Sequence, residues 1–401
     1  MIVLYLISNI YLLFMDYKKF NSIISPFFLF SLPYTLIVTI QFILSFFART
    51  YTFDFFILLV IIIFQITFFL VSRFSSRIFN SSHQVNIKSV YITFIGFLFS
   101  IYLIIHFVNL ASSLDTLGKI VQEPFQVLYS SGFNFYIRIF LIFILFHYVA
   151  GLKRMTIGSI LVILLFLIPN FLTFVKGIIL INIIGVFLIF IYNKIIKFNF
   201  FSVIFGIFSM IISFILVVII EESIWTFSVD YEILEESLSN LLAYFFAGIQ
   251  SFISNFHSNI IPIEFPNSTI AIFYNPFARL FEIGPIISNV PAIRIILFLN
   301  GIPFSSSNVN TYIGTLFLYN GLFIGNLMNV AISLISTFLF KIYLSRKSRF
   351  YFSLYLFFAT GLSLSWFEYY YLHSFYFYVI VFLGLFPILV SSLLKVFGPV
   401  V

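Results

Sequence analysis

From Ile2 onward the chain alternates long apolar runs with short polar breaks, and the runs lack the every-other-residue alternation of half-buried strands. They lie near residues 2–15, 23–47, 54–71, 89–110, 135–151, 156–172, 177–193, 200–220, 316–342, 350–366 and 374–394. At 1.5 Å rise per residue most can cross a hydrocarbon core of about 30 Å. Lipid offers no partners to the backbone, which leaves helices or a closed barrel, and continuous runs select helices. The pattern predicts an all-α, polytopic α-helical integral membrane protein with about 11 transmembrane helices, in a range of about 10 to 12. It divides the chain into an N-terminal bundle of about eight helices at 1–220, a large loop at 221–311 and about three helices at 312–401.

The loop has internal order. From Asp230 to His257 the residues Ile233, Leu234, Leu238, Leu241, Leu242, Phe245, Phe246, Ile249, Phe252, Ile253 and Phe256 recur at helical spacing. Glu232, Glu235 and Glu236 fall on the other face, so this is an amphipathic helix with Asp230 as N-cap and its carboxylates in the first turns, where the dipole favours them. Beyond it, Pro262, Pro266, Pro276, Pro285, Pro291 and Pro303 punctuate a folded loop with brief helical turns.

Composition narrows the class further. The chain is 62% hydrophobic and 8% charged, against roughly a quarter charged in soluble proteins, so it cannot clothe a water-facing surface. The 62 Phe residues read as lipid-facing bulk rather than an aromatic binding surface. With no cysteine there is neither disulfide nor thiolate chemistry, and the five histidines show no metal-ligand spacing. The net charge of +7 does not point to nucleic acid, because the cations cluster beside helix ends. With Lys18 and Lys19 inside, strict alternation places fourteen of the twenty cations in the cytoplasm and every carboxylate except Asp16 on the outer side. The long loop is then outside, with eight of the thirteen carboxylates and two isolated arginines, Arg279 and Arg294. MIVLYLISNIYLLF lacks a basic n-region and a small-residue cleavage site, and reads as a retained first helix.

The segment SNVNTYIGTLFLYNGLFIGNLMNV, Ser307–Val330, closes the loop and enters the ninth helix. It strongly resembles the signature of the Wzy-type O-antigen (oligosaccharide repeat unit) polymerases: an Asn-x-x-Thr-Tyr-like element, an aromatic stretch and a Gly-x-x-x-Gly. NSIISPFFLFSLPY, TFVKGIILI and LAYFFAGIQSF match as well, so the resemblance covers nearly the whole chain, and Asn310–Gly325 is its specific part. Two departures stand out: Lys176 where the family commonly has Arg, and Asn320 where it often has Asp before the first glycine. The resemblance implies a GT-C-like glycosyltransferase in the bacterial inner membrane, with its active site facing the periplasm. It would join undecaprenyl-pyrophosphate-linked oligosaccharide repeats into a polysaccharide, without cofactor and in the company of a flippase and a chain-length regulator.

That chemistry requires cations on the pyrophosphate, a site for the acceptor hydroxyl and room for two polyprenyl tails. Arg279 in NPFARLF and Arg294 in PAIRIIL suit a two-arginine clamp, since the planar guanidinium donates paired hydrogen bonds; pairing of Arg279 with Glu282 three residues on is the structural alternative. Lys176, wedged between apolar runs, needs a partner, while Arg49 and Arg138 at outer helix ends either bind substrate or snorkel. His257, Glu264, Glu282, Glu368 and His373 are candidate bases. Tyr244, Asn308, Asn310, Thr311, Tyr312 and His373 complete the substrate-binding set, with helix capping as the alternative for the signature residues. Gly321 and Gly325 read as a small-residue packing face. Glu221 and Glu222 could bind a divalent ion, but no second ligand set accompanies them, which favours a metal-independent mechanism. A lipid-linked oligosaccharide flippase and an O-antigen ligase are the rival readings, with a non-enzymatic membrane scaffold third. The single long outer loop and sparse mid-helix charges disfavour the flippase, and the Asn310–Gly325 signature disfavours the ligase.

Overall fold

The computed structural model describes residues 2–47, 53–76, 89–115, 132–173, 176–197, 248–257, 295–299, 302–307, 310–368 and 370–372, with isolated residues between 199 and 215, at 274 and between 376 and 384. Nine α-helices lie wholly among them: α1 Ile2–Phe20, α2 Pro26–Phe47, α3 Phe55–Ser75, α4 Ser89–Asp115, α5 Gly132–Ala150, α6 Ile157–Phe171, α7 Lys176–Tyr192, α8 Tyr312–Arg346 and α9 Arg349–Ser363. Five carry stretches long and apolar enough to cross a membrane: Pro26–Ile43, Phe55–Ser75, Val90–Leu110, Phe133–Ala150 and Tyr312–Ser345. This is the architecture of an α-helical, membrane-embedded protein. The segment expected as loop with helical turns contains, among the described residues, an antiparallel hairpin of β1 Ile295–Leu299 and β2 Ile302–Ser307. The dipeptide between the strands is Asn300-Gly301, a pair that tolerates the positive φ of tight hairpin turns.

The helices gather into two compact units that cut across the linear division read from hydropathy. The first comprises Met1–His83, Ser239–Arg346 and Phe358–Val401; the second comprises Gln84–Leu238 and Lys347–Phe357. In the first, α3 packs against α1, α2 and α8, and α8 also touches α2. Asp16, near the end of α1, ties the entry to α2: it accepts from the Ser25 hydroxyl and from the Phe28 backbone N–H, and is itself buried. Lys19 reaches the C-terminus of α3, donating to the Arg73 carbonyl and the Ser76 hydroxyl, which satisfies an end that a helix leaves open. A polar chain crosses the interior, with Gln65 Nε2 donating to Ser31 Oγ (3.4 Å) and Ser31 Oγ to Asn9 Oδ1 (3.2 Å). Such bonds hold apolar helices in register where hydrophobicity cannot.

In the second unit α5 is the central element, packed against α4, α6 and α7. Close approach is set by glycine: a Cβ at Gly185 would come within 1.9 Å of the Phe146 ring, and one at Gly96 within 2.5 Å of Ile144. Thr156 and Ser159 form a reciprocal capping box at the start of α6. Asn193 Nδ2 lies within 3.0–3.4 Å of three carbonyls at the end of α5, those of Val149, Ala150 and Leu152.

Candidate functional site

The signature stretch does not form a straight helix. Helical φ/ψ is interrupted at Gly321, where φ is 69° and ψ is −177°, a region essentially reserved for glycine. Tyr312 Oη donates to Asn329 Oδ1 at 3.0 Å, although seventeen residues of straight helix would separate them by about 25 Å. A Cβ on Gly325 would lie 2.7 Å from the Leu316 carbonyl oxygen. Both pairs are centred between Asn320 and Gly321, so α8 doubles back as a helical hairpin of two arms, residues 312–320 and 322–346. This corrects the sequence reading of the two glycines. Gly325 does pack, against Leu316 and the Phe64 ring, but a Cβ at Gly321 would meet nothing within 4 Å among the described residues, and this glycine serves by its backbone conformation.

The longer arm runs along α3 in the same direction: Asn329 Nδ2 donates to the Phe64 carbonyl (2.9 Å) and Ser333 Oγ to the Phe68 carbonyl (3.1 Å). Phe317, near the end of the shorter arm, meets Phe56 at the start of α3, 6.0 Å between ring centres. The shorter arm therefore starts level with Phe64, about 13 Å along α3 from its N-terminus, and climbs back towards it. Its first N–H groups are all satisfied. Tyr312 N donates to the Ser365 carbonyl (2.7 Å), Ile313 N to Tyr34 Oη (3.2 Å) and Gly314 N to Thr311 Oγ1 (2.8 Å), and Tyr34 Oη donates onward to the Ser365 carbonyl (2.8 Å). Thr311 is thus the N-cap, and Thr311 and Tyr312 are fully buried.

Two further segments meet this point. After α9 the chain turns through residues 364–367 to Glu368, whose N–H donates to the Leu364 carbonyl (3.1 Å). Residues 248–257 form the described part of the expected amphipathic helix. A Cβ on Gly248 would lie 2.6 Å from the Trp366 carbonyl oxygen, 2.9 Å from that of Phe367 and 3.2 Å from Thr311. Higher up, Phe252 faces Phe317, Asn255 Nδ2 donates to Asn310 Oδ1 (2.9 Å), and His257 Nε2 pairs with Asp54 Oδ2 at 2.9 Å. Of this helix, Ile249, Ser251, Phe252, Ile253 and Asn255 are buried, so this part is a core element of its unit rather than a surface helix.

Of the expected site residues, the structure brings Asn310, Thr311, Tyr312 and Glu368 to one junction in the first unit, with His257 above it on the same supporting helix. Sequence reasoning missed Tyr34, Asp54, Asn255 and Ser365. The Asp54 signal was available, an acidic residue immediately before an apolar run; the other three depend on tertiary contacts between distant segments.

The second unit holds Arg138 on α5, 1% exposed. The α5–α6 and α6–α7 links are short, so the start of α5, the end of α6 and the start of α7 share one end. That end carries Arg138, Lys176 as the first residue of α7, and the buried amides of Asn134, Asn170 and Asn182. Asn170 is fully buried and, among the described residues, neither of its side-chain polar atoms has a hydrogen-bond partner, which is costly in an apolar interior. Arg49, Tyr244, Arg279, Arg294, Asn308 and His373, like Glu221, Glu222, Glu264 and Glu282, lie outside the described residues, as does the loop helix before Gly248. Among the described residues no group of three or more His, Cys, Asp or Glu could hold a metal ion. Compared with family models, curated proteins and solved structures, the chain matches none of them.

Proposed function

We propose that this chain is a lipid-carrier-dependent glycosyltransferase that polymerises oligosaccharide repeat units carried on undecaprenyl pyrophosphate. The observation that carries the reading is the α8 hairpin, because the stretch resembling the polymerase signature is the stretch that folds back. It puts non-helical backbone, residues 310–311 and 364–368, about 13 Å inside the end of α3. At such depth in a bilayer, irregular backbone is tolerated only where protein buries it or a polar cavity adjoins it, and such places form binding sites in other membrane proteins. Asn255, Asn310 and Glu368 supply amide and carboxylate groups suited to sugar hydroxyls, and the expected pyrophosphate-binding arginines Arg279 and Arg294 belong to the loop that leads into the hairpin. Within the second unit, the buried Arg138 and Lys176, the first residue of α7, are cations of the kind that a charged headgroup requires.

The glycan of a strain lacking this chain tests the reading. Loss of a polymerase leaves acceptor core carrying at most one repeat. Bare core with lipid-linked polymer accumulating would identify a ligase instead. Absence of any capped core together with absence of lipid-linked polymer would indicate a flippase, and an unchanged ladder would remove the chain from glycan assembly.

A further inference from the structure

His257 and Asp54 stand apart from the buried junction at the outer end of the same unit, and their geometry has a chemical direction. Asp54 is the N-cap of α3: its Oδ1 accepts from Ile57 N–H at 3.0 Å, and its Oδ2 is left for His257 Nε2 at 2.9 Å. One carboxylate is thus fixed by a helix terminus and uses its other oxygen to hold an imidazole. Phe256 supports the arrangement, stacked on Phe56 at 5.2 Å and edge-on to the His257 ring at 5.5 Å. The imidazole remains reachable, with 57% of its side chain exposed against 20% for Asp54. A carboxylate that holds the proton on Nε2 leaves the Nδ1 lone pair as the basic site, the tautomer control found in carboxylate-oriented catalytic histidines.

We infer that His257 is the base that accepts the proton of the acceptor sugar hydroxyl and that Asp54 is its positioning residue; the inference rests on the polymerase reading above. In the step, the acceptor O–H gives its proton to Nδ1 as its oxygen attacks the anomeric carbon of the donor. The bond from that carbon to the phosphate oxygen breaks, and the lipid pyrophosphate leaves with the electron pair. The imidazolium then returns its proton to water, and Asp54 ends as it began. The dyad sits level with the start of α3, where a membrane-spanning helix meets the headgroup layer in which a lipid pyrophosphate lies.

The test uses the full-length protein in proteoliposomes supplied with lipid-linked repeat units. His257→Ala lowers kcat at least about a hundredfold with KM nearly unchanged, and added imidazole restores part of the rate because the position is open to solvent. His257→Gln, which keeps a donor for Asp54 but no base, stays folded and inactive. Asp54→Asn is the decisive variant. Asn caps a helix as well as Asp, so a purely structural Asp54 predicts wild-type turnover, whereas a positioning role predicts a loss of about ten- to a hundredfold in kcat. Wild-type turnover in His257→Ala or in Asp54→Asn, or loss in His257→Ala that imidazole does not relieve, overturns the dyad while leaving the polymerase standing. Wild-type protein that makes no polymer at all overturns the functional reading, and the dyad falls with it.

Discussion

A pyrophosphate is best met by a planar guanidinium, which donates two parallel charge-assisted hydrogen bonds where an ammonium offers a point charge. If Arg279 and Arg294 bind the leaving group, Arg→Ala at either abolishes long chains, and Arg→Lys also impairs them. The expected loss is about 3 to 4 kcal/mol, a hundred- to a thousandfold in rate, read as chain-length distribution at matched protein levels. Normal polymer from both alanine variants would move the role to Lys176, Arg49 and Arg138. Asp16 supports a prediction of a different kind. Burial raises its carboxyl from 3.8 to about 6, against the opposing influence of the Ser25 hydrogen bond and the charges of Lys19 and Arg73. Because the folded state holds this proton more tightly than the unfolded state does, stability falls as pH rises from about 4 to 6, by at most about 3 kcal/mol. Asp16→Asn, which still accepts from Ser25, removes that slope, and thermal unfolding of detergent-solubilised protein across this pH range measures it.

Among the elements, the α8 hairpin depends on two glycines for different reasons. Gly321→Ala meets no neighbour among the described residues but must hold a conformation that costs an L-residue about 1–3 kcal/mol. Gly325→Ala would press a methyl onto the Leu316 carbonyl and spread the two arms. Both variants lower the unfolding temperature, and only Gly325→Ala weakens the Tyr312–Asn329 bond, so adding Tyr312→Phe should be less than additive with Gly325→Ala and additive with Gly321→Ala. The hairpin was hidden in the sequence for a physical reason. Its two arms form one apolar run, and the spacing of Gly321 and Gly325 is also that of a packing face; the breaker was the Asn320-Gly321 dipeptide inside the run. Most helices were legible, because lipid demands apolar length and little else: α2, α3 and α5 through α7 lie within a few residues of their runs. The candidate site was legible only where a residue type announces itself, as at Glu368 and His257. Tyr34 and Ser365 act through a hydroxyl and a carbonyl that any sequence could supply.

For the whole molecule, the charge asymmetry makes a statement about sidedness that the fold leaves open. Lys18, Lys19, Lys153, Arg154, Lys347 and Arg349 flank helix ends expected inside, and the long loop is expected outside. In this cysteine-free chain, cysteines introduced at Ser237 and Asn267 should react with an impermeant thiol reagent applied from the non-cytoplasmic side of the membrane, while one at Ser348 should not; reversed labelling would overturn the expected sidedness of the loop.

The Tyr34 phenol gives the molecule an order of assembly. Its oxygen joins α2 to Ile313, 279 residues away, and to Ser365, 331 residues away. A nascent chain inserts α2 into the bilayer long before either partner has left the ribosome, so the early helices wait in lipid with this hydroxyl unmated. These bonds can close only after the chain has been made as far as Ser365, and a chain that stops short of it leaves both the Tyr34 hydroxyl and the Tyr312 N–H without the Ser365 carbonyl that each donates to.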